Sequence, residues 1–365
     1  MQKPLRVLIT PDSFKGSATN QEVAAAIARG WKKVRAQDEI TCIPMADGGE
    51  GTLETFAMRF PSAQRFTVEV NFHEKQNRQA TWLLLDDGTA ITELADACGL
   101  THMKVLDPLN ASTFAFGQVL KSAAENPKVK KIIACIGGSA STDGGVGALI
   151  ALGARFLNAS GNSIALGGAG LQEIHSVDFS QMTQPPSLGS VSLADVKNSL
   201  LGNNGAAKVY GPQKGATDED IKVLEAGLTK LVHISGKEDF PGAGAAGGSA
   251  FGLNYGWGTS LDSGAKVISE VMGLHKEINE SNVVITGEGR FDQQSAQGKV
   301  VGLIQELSAQ HKKRVLLCVG STALDFSSNQ LSGVVLEQLA GSKDAAMTES
   351  IKWLERAGEE LALQV

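Results

Sequence analysis

The chain has 365 residues, a formal net charge of −6, 42% hydrophobic residues and 20% charged residues. This length favours two domains, and this composition excludes a disordered chain. An acidic balance without interleaved basic and aromatic residues argues against a nucleic-acid partner, and no apolar run approaches the roughly 20 residues of a membrane span. We therefore expect a cytoplasmic protein with no membrane partner, and the choice between a monomer and a homodimer stays open.

The chain begins with a predicted strand, loop and helix. Residues 5–10 form a β-branched run that predicts a strand, and the sequence PDSFKGS follows it at 11–17. Thr19 and Glu22 fit a capping box, which predicts that a helix starts just after this loop. A second short strand is predicted at 40–44, leading into MADGGEGT and a further helix.

Between residues 65 and 94 the sequence pattern changes to alternating apolar residues. The pair Asp87-Gly88 is a hairpin signal, so this region predicts antiparallel strands. Residues 130–135 return to a buried-type strand, followed by IGGSASTDGG and an apolar helix. A polar connector spans about 158–188, and Val191 to Ala194 is a short strand-like run before Asp195.

Near the end of the chain, NVVIT at 282–286 predicts a strand, GEGRFD its loop, 296–309 a helix and 314–319 another strand. The order of elements predicts an α/β protein with two domains. One is a doubly wound parallel sheet of flavodoxin-like or Rossmann-like type, formed by 1–65 plus 285–365. The other, 66–284, is an inserted α/β domain with a mixed sheet, and the active crevice is expected between them.

Six glycine-rich runs recur along the chain, several of them directly after a predicted strand. Glycine is used where a turn needs positive φ or where backbone N–H groups approach a ligand closely, so the set indicates an anion-binding crevice. The alternative is that each run is an ordinary turn. A P-loop motif and a GxGxxG after the first strand are both missing from the sequence, so the predicted phosphate site is distributed over several loops.

Phosphoryl transfer needs N–H donors, cations, carboxylates and a positioned acceptor. The glycine runs and their hydroxyls are the candidates for binding ATP phosphates, namely Gly137, Gly138, Ser139, Ser141, Gly242, Gly244, Gly247 and Gly287. Carboxylates could hold Mg²⁺ or accept the hydroxyl proton, with Asp47 or Asp195 favoured for the proton. Mg²⁺ is expected on acids such as Asp47 or Asp195, with Asp143 a further candidate ligand. Arg290 or Lys15 could clamp an acceptor carboxylate, although an ion pair with neighbouring acids would equally explain Arg290.

Taken together, the motifs resemble those of the bacterial glycerate kinase family. The resemblance runs in order from about Val7 to Val319 and is carried by the segments PDSFKGS, PMADGGEGT, ELADACGL, IGGSASTDGG, GAAKVYGPQKGA, PGAGAAGG and ITGEGRFDQQSAQGK. It implies ATP-dependent, Mg²⁺-assisted phosphorylation of D-glycerate, at the 2-hydroxyl, by a two-domain α/β enzyme. The family's conserved positions fall at Asp12, Lys15, Asp47, Glu50, Ser139, Asp143, Asp195, Lys214, Arg290, Asp292 and Ser295. Among these, Lys15, Asp47, Asp195 and Arg290 are the catalytic candidates. Asp12, Arg290, Asp292 and Ser295 are candidate substrate ligands, to which we add Ser17 from its place in the first loop.

Two departures from the family pattern leave acceptor choice open. Thr142 stands where the family usually has asparagine, and the loop after Asp195 lacks two usual prolines, so we expect a looser loop. The alternatives are a kinase for a related hydroxy acid such as tartronate, and a silent relative that senses a hydroxy acid.

Overall fold

A computed structural model describes residues 3–73, 76–292, 299–324, 326 and 331–365, which form an α/β protein. In chain order its strands are β1 (Arg6–Ile9), β2 (Glu39–Cys42), β3 (Gln64–Asn71), β4 (Asn77–Leu84), β5 (Thr89–Glu93), β6 (Lys131–Cys135), β7 (Arg155–Leu157), β8 (Ser176–Asp178), β9 (Ser190–Leu193), β10 (Ser260–Asp262), β11 (Val283–Thr286), β12 (Arg290–Phe291), β13 (Arg314–Val319), β14 (Ser321–Thr322) and β15 (Gly333–Val335). The α-helices are α1 (Asn20–Val34), α2 (Thr52–Arg59), α3 (Leu94–Cys98), α4 (Phe114–Ala124), α5 (Val146–Ala151), α6 (Ala206–Tyr210), α7 (Asp218–Ser235), α8 (Ala245–Trp257), α9 (Gly264–Val271), α10 (Leu274–Glu280), α11 (Val300–Gln310), α12 (Leu336–Ala340), α13 (Lys343–Thr348) and α14 (Ser350–Ala362).

Internal contacts divide the chain into two compact units. Unit 1 comprises Met1–Asp47 and Gly264–Val365, and unit 2 comprises Gly48–Ser263. These junctions differ from the predicted ones at 65/66 and 284/285. Two helical segments account for the difference, because α2 packs against β4 and β5 in unit 2, whereas α9 and α10 pack against α11 and α10 also contacts β1 in unit 1.

Unit 1 contains a five-stranded, all-parallel sheet in the order β15-β13-β11-β1-β2. The chain adds β2 on one side of β1 and adds β11, β13 and β15 on the other, so the predicted doubly wound sheet is confirmed. A topological switch point therefore lies between β1 and β11. In open α/β sheets, ligands bind beyond the carboxyl ends of the strands at such a point.

Helix α1 forms for reasons visible in its sequence. The predicted capping box is present, with the Thr19 side chain accepting from the Glu22 N–H and the Glu22 carboxylate accepting from the Thr19 N–H. Its buried face, which includes Val23, Ile27 and Trp31, packs on the sheet and on α14. The helix thereby fixes the end of the loop that follows β1.

Unit 2 contains a six-stranded mixed sheet in the order β10-β9-β6-β5-β4-β3. Strands β3, β4 and β5 are antiparallel neighbours, as the Asp87-Gly88 signal predicts, and β5, β6, β9 and β10 run parallel. Phe66 and Trp82 stack across the β3–β4 pair with ring centroids 4.2 Å apart. The predicted mixed-sheet α/β domain is therefore confirmed, and its parallel strands end on one edge.

Candidate active site

A cavity of about 370 Å³ lies in unit 1 beside the loops that follow β1 and β11. Its acidic lining residues are Asp12, Asp47, Glu288 and Asp292, and its basic lining residues are Lys15, Arg290, Lys299 and Lys343. Ser17 also faces this cavity. The structure therefore brings together six predicted site residues, Asp12, Lys15, Ser17, Asp47, Arg290 and Asp292. A cavity with both signs of charge suits a small hydroxylated anion.

The loop after β1 is held by its own backbone hydrogen bonds. The Asp12 N–H donates to the Gly287 carbonyl at 2.9 Å, which ties this loop to the one after β11. A tight turn follows, in which the Phe14 N–H donates to the Ala18 carbonyl at 2.9 Å and Gly16 has φ +82°. The turn requires a residue that tolerates positive φ, and it leaves Lys15 exposed at its tip.

Asp12 is a largely buried carboxyl of the cavity with a raised pKa. Burial raises its pKa from 3.8 to about 7, and the nearby Asp47 and Glu288 carboxylates act in the same direction. The Ser13 N–H, which donates to Asp12 Oδ1 at 2.6 Å, and the Lys15 ammonium act in the opposite direction. A carboxyl with a pKa near neutrality can exchange a proton at physiological pH.

The loop after β11 presents Arg290 from a short strand. Arg290 lies in β12, which pairs in parallel with β14, and the Gly320 N–H donates to the Glu288 carbonyl at 3.0 Å. A Cβ on Gly287 would fall 1.6 Å from the Cys318 carbonyl oxygen. Close approach to β13 therefore accounts for this glycine, and its predicted role in phosphate binding stays a prediction.

Three loops meet at the carboxyl edge of the unit 2 sheet. The Gly137 N–H, just after β6, donates to the Gly48 carbonyl at 3.0 Å. A Cβ on Gly48, which has φ +85°, would lie 2.9 Å from the Cβ of Leu193 at the end of β9. The segments 48–51 and 137–141 and the end of β9 are thus packed together.

Two backbone N–H groups of this edge are unpaired among the described residues, one on the exposed Gly138 and one on Ser139, which is 6% exposed. Among the described residues, the N–H groups of Gly138 and Ser139 have no hydrogen-bond acceptor, and Gly138 is exposed with φ +77°. Consecutive free amides in a glycine turn are a recognised way to bind phosphate oxygens. The Gly137 N–H is used by the Gly48 carbonyl, and the role of Gly137, Gly138 and Ser139 in binding ATP phosphates stays a prediction.

A buried lysine lies beneath the same loop. The Lys214 ammonium is 3.2 Å from the Ser139 hydroxyl oxygen and also donates to the Ser141 carbonyl. Only 3% of Lys214 is exposed, and this burial lowers its pKa to about 8, although Asp143 favours the charged form. The Ser141 side chain is itself buried, 3.4 Å from the Ser139 hydroxyl. The Ser141 side chain therefore lies inside the loop, against the Ser139 hydroxyl.

Asp143 is saturated by neighbouring donors. Its carboxylate accepts hydrogen bonds from the Ser112 hydroxyl, from the N–H and hydroxyl of Thr113, and from the N–H groups of Gly145 and Gly147, at 2.8–3.2 Å. The residue is 1% exposed. This arrangement explains Asp143 as the anchor of the loop and of the start of α5, so we do not carry it forward as a Mg²⁺ ligand.

Asp195 follows β9 and remains partly exposed. Its Oδ1 accepts a hydrogen bond from the Ser263 hydroxyl at 2.6 Å. The loop after it, which lacks the family's prolines, is held by the Asp239 carboxylate, which accepts from the Leu200 N–H at 2.8 Å and the Leu201 N–H at 3.1 Å. These two hydrogen bonds hold the loop in place, in a region where the family's prolines would otherwise restrict the backbone.

The run at 241–248 is packed backbone against backbone. A Cβ on Gly244 would lie 2.1 Å from the Ser199 carbonyl oxygen, and one on Gly247 would lie 2.1 Å from the Ser141 carbonyl oxygen. Gly242 is also buried, with φ +90°. Ala246 has φ +53° and is followed by two left-handed glycines at the nominal start of α8. Close packing accounts for these glycines, and their role in ATP binding stays a prediction.

Ser295, a predicted substrate ligand, lies outside the described residues.

Two other residues near the candidate site were not foreseen from the sequence. Lys343, at the start of α13, reaches the unit 1 cavity from a distant part of the chain, and no local pattern marks it. Glu93, at the end of β5, lies in the segment ELADACGL, but no local pattern marks its role; its carboxylate accepts from the N–H groups of Gly51 and Leu53 at the start of α2.

Within the described ranges, no group of three or more His, Cys, Asp or Glu side chains is arranged to hold a metal ion. Over those same ranges, none of the helices is long and apolar enough to cross a membrane. A Mg²⁺ ion bound with substrate phosphates needs only one or two protein carboxylates, so the donor set remains compatible with one.

The doubly wound unit, the mixed-sheet unit and the glycine-rich loops define a two-domain α/β protein whose sequence lacks a P-loop motif. The model of the glycerate kinase family matches residues 7–365, so the chain belongs to the glycerate kinase family and is an enzyme that acts as a kinase. This agrees with the motif resemblance found in the sequence.

Individual relatives agree with this assignment. The chain is 37% identical over 342 residues to the glycerate 2-kinase of Escherichia coli (strain K12), covering 90% of this chain and 89% of that protein. It is 36% identical over 374 residues to the glycerate kinase of Halalkalibacterium halodurans, with 98% and 97% covered. A crystal structure from Salmonella typhimurium LT2 described as a glycerate kinase 2 superposes with a TM-score of 0.83 at 32% identity, covering 99% of this chain and 98% of that one.

Proposed function

We propose that this kinase transfers the γ-phosphoryl group of ATP to the 2-hydroxyl of D-glycerate. The observation that carries the proposal is the unit 1 cavity, in which Arg290 and Lys15 share one small space with the carboxyl groups of Asp12 and Asp47. The choice of the 2-hydroxyl rests on similarity to a relative named glycerate 2-kinase.

The acceptor's carboxylate would be bound by Arg290, whose planar guanidinium can form two parallel hydrogen bonds to it, with Lys15 adding a second positive charge. The acceptor hydroxyl would then lie beside the pair Asp12 and Asp47. Burial, with a smaller contribution from the Asp47 carboxylate, raises the pKa of Asp12 to about 7, so the Asp12 carboxyl can take up a proton near neutral pH. We assign the removal of the hydroxyl proton to this pair, which includes Asp47, one of the two acids, Asp47 or Asp195, favoured for that role from the sequence.

The donor's phosphates would be bound in unit 2 by the free N–H groups of Gly138 and Ser139 over the buried Lys214 ammonium. Asp195 is the carboxylate best suited to share Mg²⁺ with those phosphates, since it is partly exposed and Asp143 is saturated. Bound Mg²⁺ neutralises phosphate charge. As the acceptor oxygen bonds to the γ-phosphorus, the bond to the bridging oxygen breaks and ADP leaves.

The test is ADP release coupled to an indicator reaction, measured with D-glycerate and with a panel of other small hydroxy acids, tartronate included. D-Glycerate should have the highest kcat/KM, and replacing Asp47 by Asn should lower kcat more than it changes the KM for ATP. A higher kcat/KM for another acid would replace D-glycerate as the substrate. Unchanged kcat in both Asp12→Asn and Asp47→Asn variants would remove the pair from proton transfer.

A further inference from the structure

Glu93 is a buried carboxylate that binds the backbone of a neighbouring loop. It is the last residue of β5 and is 4% exposed. One carboxylate oxygen accepts from the Gly51 N–H at 3.0 Å and the other accepts from the Leu53 N–H at 2.9 Å. Both oxygens are thus used to hold the segment that leads into α2.

The held segment in turn contacts the phosphate-binding candidate of unit 2. The Gly48 carbonyl accepts from the Gly137 N–H at 3.0 Å. A Cβ on Gly137 would lie 2.6 Å from the Gly49 Cα, so the two backbones touch without a side chain between them. A shift of residues 48–51 would therefore be passed to Gly137 and on to the free amides of Gly138 and Ser139.

We propose that Glu93 is a positioning residue of the kinase, whose ionised carboxylate holds segment 48–53 and thereby keeps the Gly138 and Ser139 amides in the geometry that binds the donor's phosphates. Protonation of Glu93 weakens this hold. The proposal rests on the proposed use of those amides for the phosphates of ATP.

The charge state of Glu93 is sensitive to pH near neutrality. Burial raises its pKa from 4.5 to about 7, and the described charged groups that act in the same direction are Asp96 of α3 and Glu50 of the loop. The hydrogen bonds from Leu53 and Gly51 act in the opposite direction. An ionised carboxylate accepts on both oxygens, whereas the protonated form carries a donor on one of them. Donor binding should therefore strengthen as the pH rises through about 7.

A purely structural role predicts something different. If Glu93 only caps α2, its loss lowers stability equally for all functions and leaves the affinity for the donor unchanged in the folded protein. The positioning role and the purely structural role therefore predict different values of the KM for ATP and a different dependence of this KM on pH.

The experiment compares wild type with Glu93→Gln, which keeps the size of the side chain and cannot be ionised. Glu93→Asp is the second variant, and Glu54→Gln is the matched control, because Glu54 is exposed on α2 and pairs with Arg65 at 2.6 Å. For each protein, kcat/KM for ATP is measured from pH 5.5 to 8.5, and the dissociation constant of inorganic tripolyphosphate is measured by calorimetry. Taking the ratio of wild type to variant at each pH cancels the titration of ATP and of Asp12.

The kcat/KM for ATP of wild type should exceed that of Glu93→Gln about tenfold at pH 8.5, and the ratio of the two should approach one at pH 5.5. The KM for D-glycerate should be unchanged. Glu93→Asp should recover part of the loss, the tripolyphosphate constant should follow the same trend, and the control should match wild type. A ratio that is constant with pH, or that is near one at pH 8.5 in a folded variant, would overturn the proposal. If the tripolyphosphate dissociation constant responds to Glu93→Gln as expected but wild type does not turn over ATP, the proposed function is refuted and the positioning role of Glu93 stands.

Discussion

Replacing Asp12 by Asn should make the protein more stable at alkaline pH and have a smaller effect at acidic pH. Asn keeps the oxygen that accepts from the Ser13 N–H and removes the charge that is repelled by Asp47 and Glu288. Because the pKa of Asp12 is raised on folding from 3.8 to about 7, the folded state favours the protonated form. The resulting stability is fully present below pH 3.8, declines above it and is gone once the pH has risen through about 7.

The size of the effect follows from the shift. Three pKa units correspond to about 4 kcal/mol, and partial solvent contact at Asp12 reduces this limit to about 2 kcal/mol. Part of this difference already exists at pH 5, since the unfolded carboxyl is ionised there. The advantage of Asp12→Asn over wild type should therefore grow by about 1 to 2 kcal/mol between pH 5 and pH 8.5.

The assay is urea unfolding followed by circular dichroism at both pH values, with Glu270→Gln as the control because Glu270 is an exposed acid in unit 1. The control should shift little between the two pH values. Parallel behaviour of Asp12→Asn and wild type, or a variant less stable than wild type at pH 8.5, would refute the assignment of a charge penalty to Asp12.

Three further substitutions test other parts of the account. Arg290→Lys should raise the KM for D-glycerate about tenfold and leave the KM for ATP near its wild-type value, because a lysine cannot form the two parallel bonds; equal changes in both would contradict this. Lys214→Met should raise the KM for ATP and lower the free energy of unfolding by about 1 to 3 kcal/mol. Lys208→Met, at an exposed site, should do neither. Gly287→Ala should destabilise by about 3 kcal/mol or more, since its Cβ would fall 1.6 Å from a backbone oxygen of β13. Gly289→Ala, whose nearest contact would be 3.3 Å, should cost far less.

Local patterns predicted the elements that carry their own signals. The β-branched runs gave β1, β6, β11 and β13 within a residue or two, because parallel strands buried on both faces are continuous apolar segments. The capping box at Thr19 and the hairpin at Asp87-Gly88 have equally local causes, and both are present. The loops that line the unit 1 cavity were located for the same reason, since they directly follow strands, whereas the sequence placed the active crevice between the two domains.

Features that depend on distant parts of the chain were not predictable in this way. Lys343 joins the cavity only because the C-terminal helices return to the sheet, and the unit junction at Asp47 and Gly48 follows from the packing of α2 against β4 and β5. A glycine's sequence context cannot distinguish a ligand-binding turn from close backbone packing. Gly138 leaves its amide available, whereas Gly247 lies against Ser141, and the distinction appears only in three dimensions.

We propose that this member of the glycerate kinase family phosphorylates the 2-hydroxyl of D-glycerate with ATP. The most direct measurement is a proton-coupled phosphorus NMR spectrum of the purified product. We expect a phosphorus signal split into a doublet by the single proton on C2. A triplet from the two protons on C3 would contradict it, as would the absence of any phosphorylated product from D-glycerate.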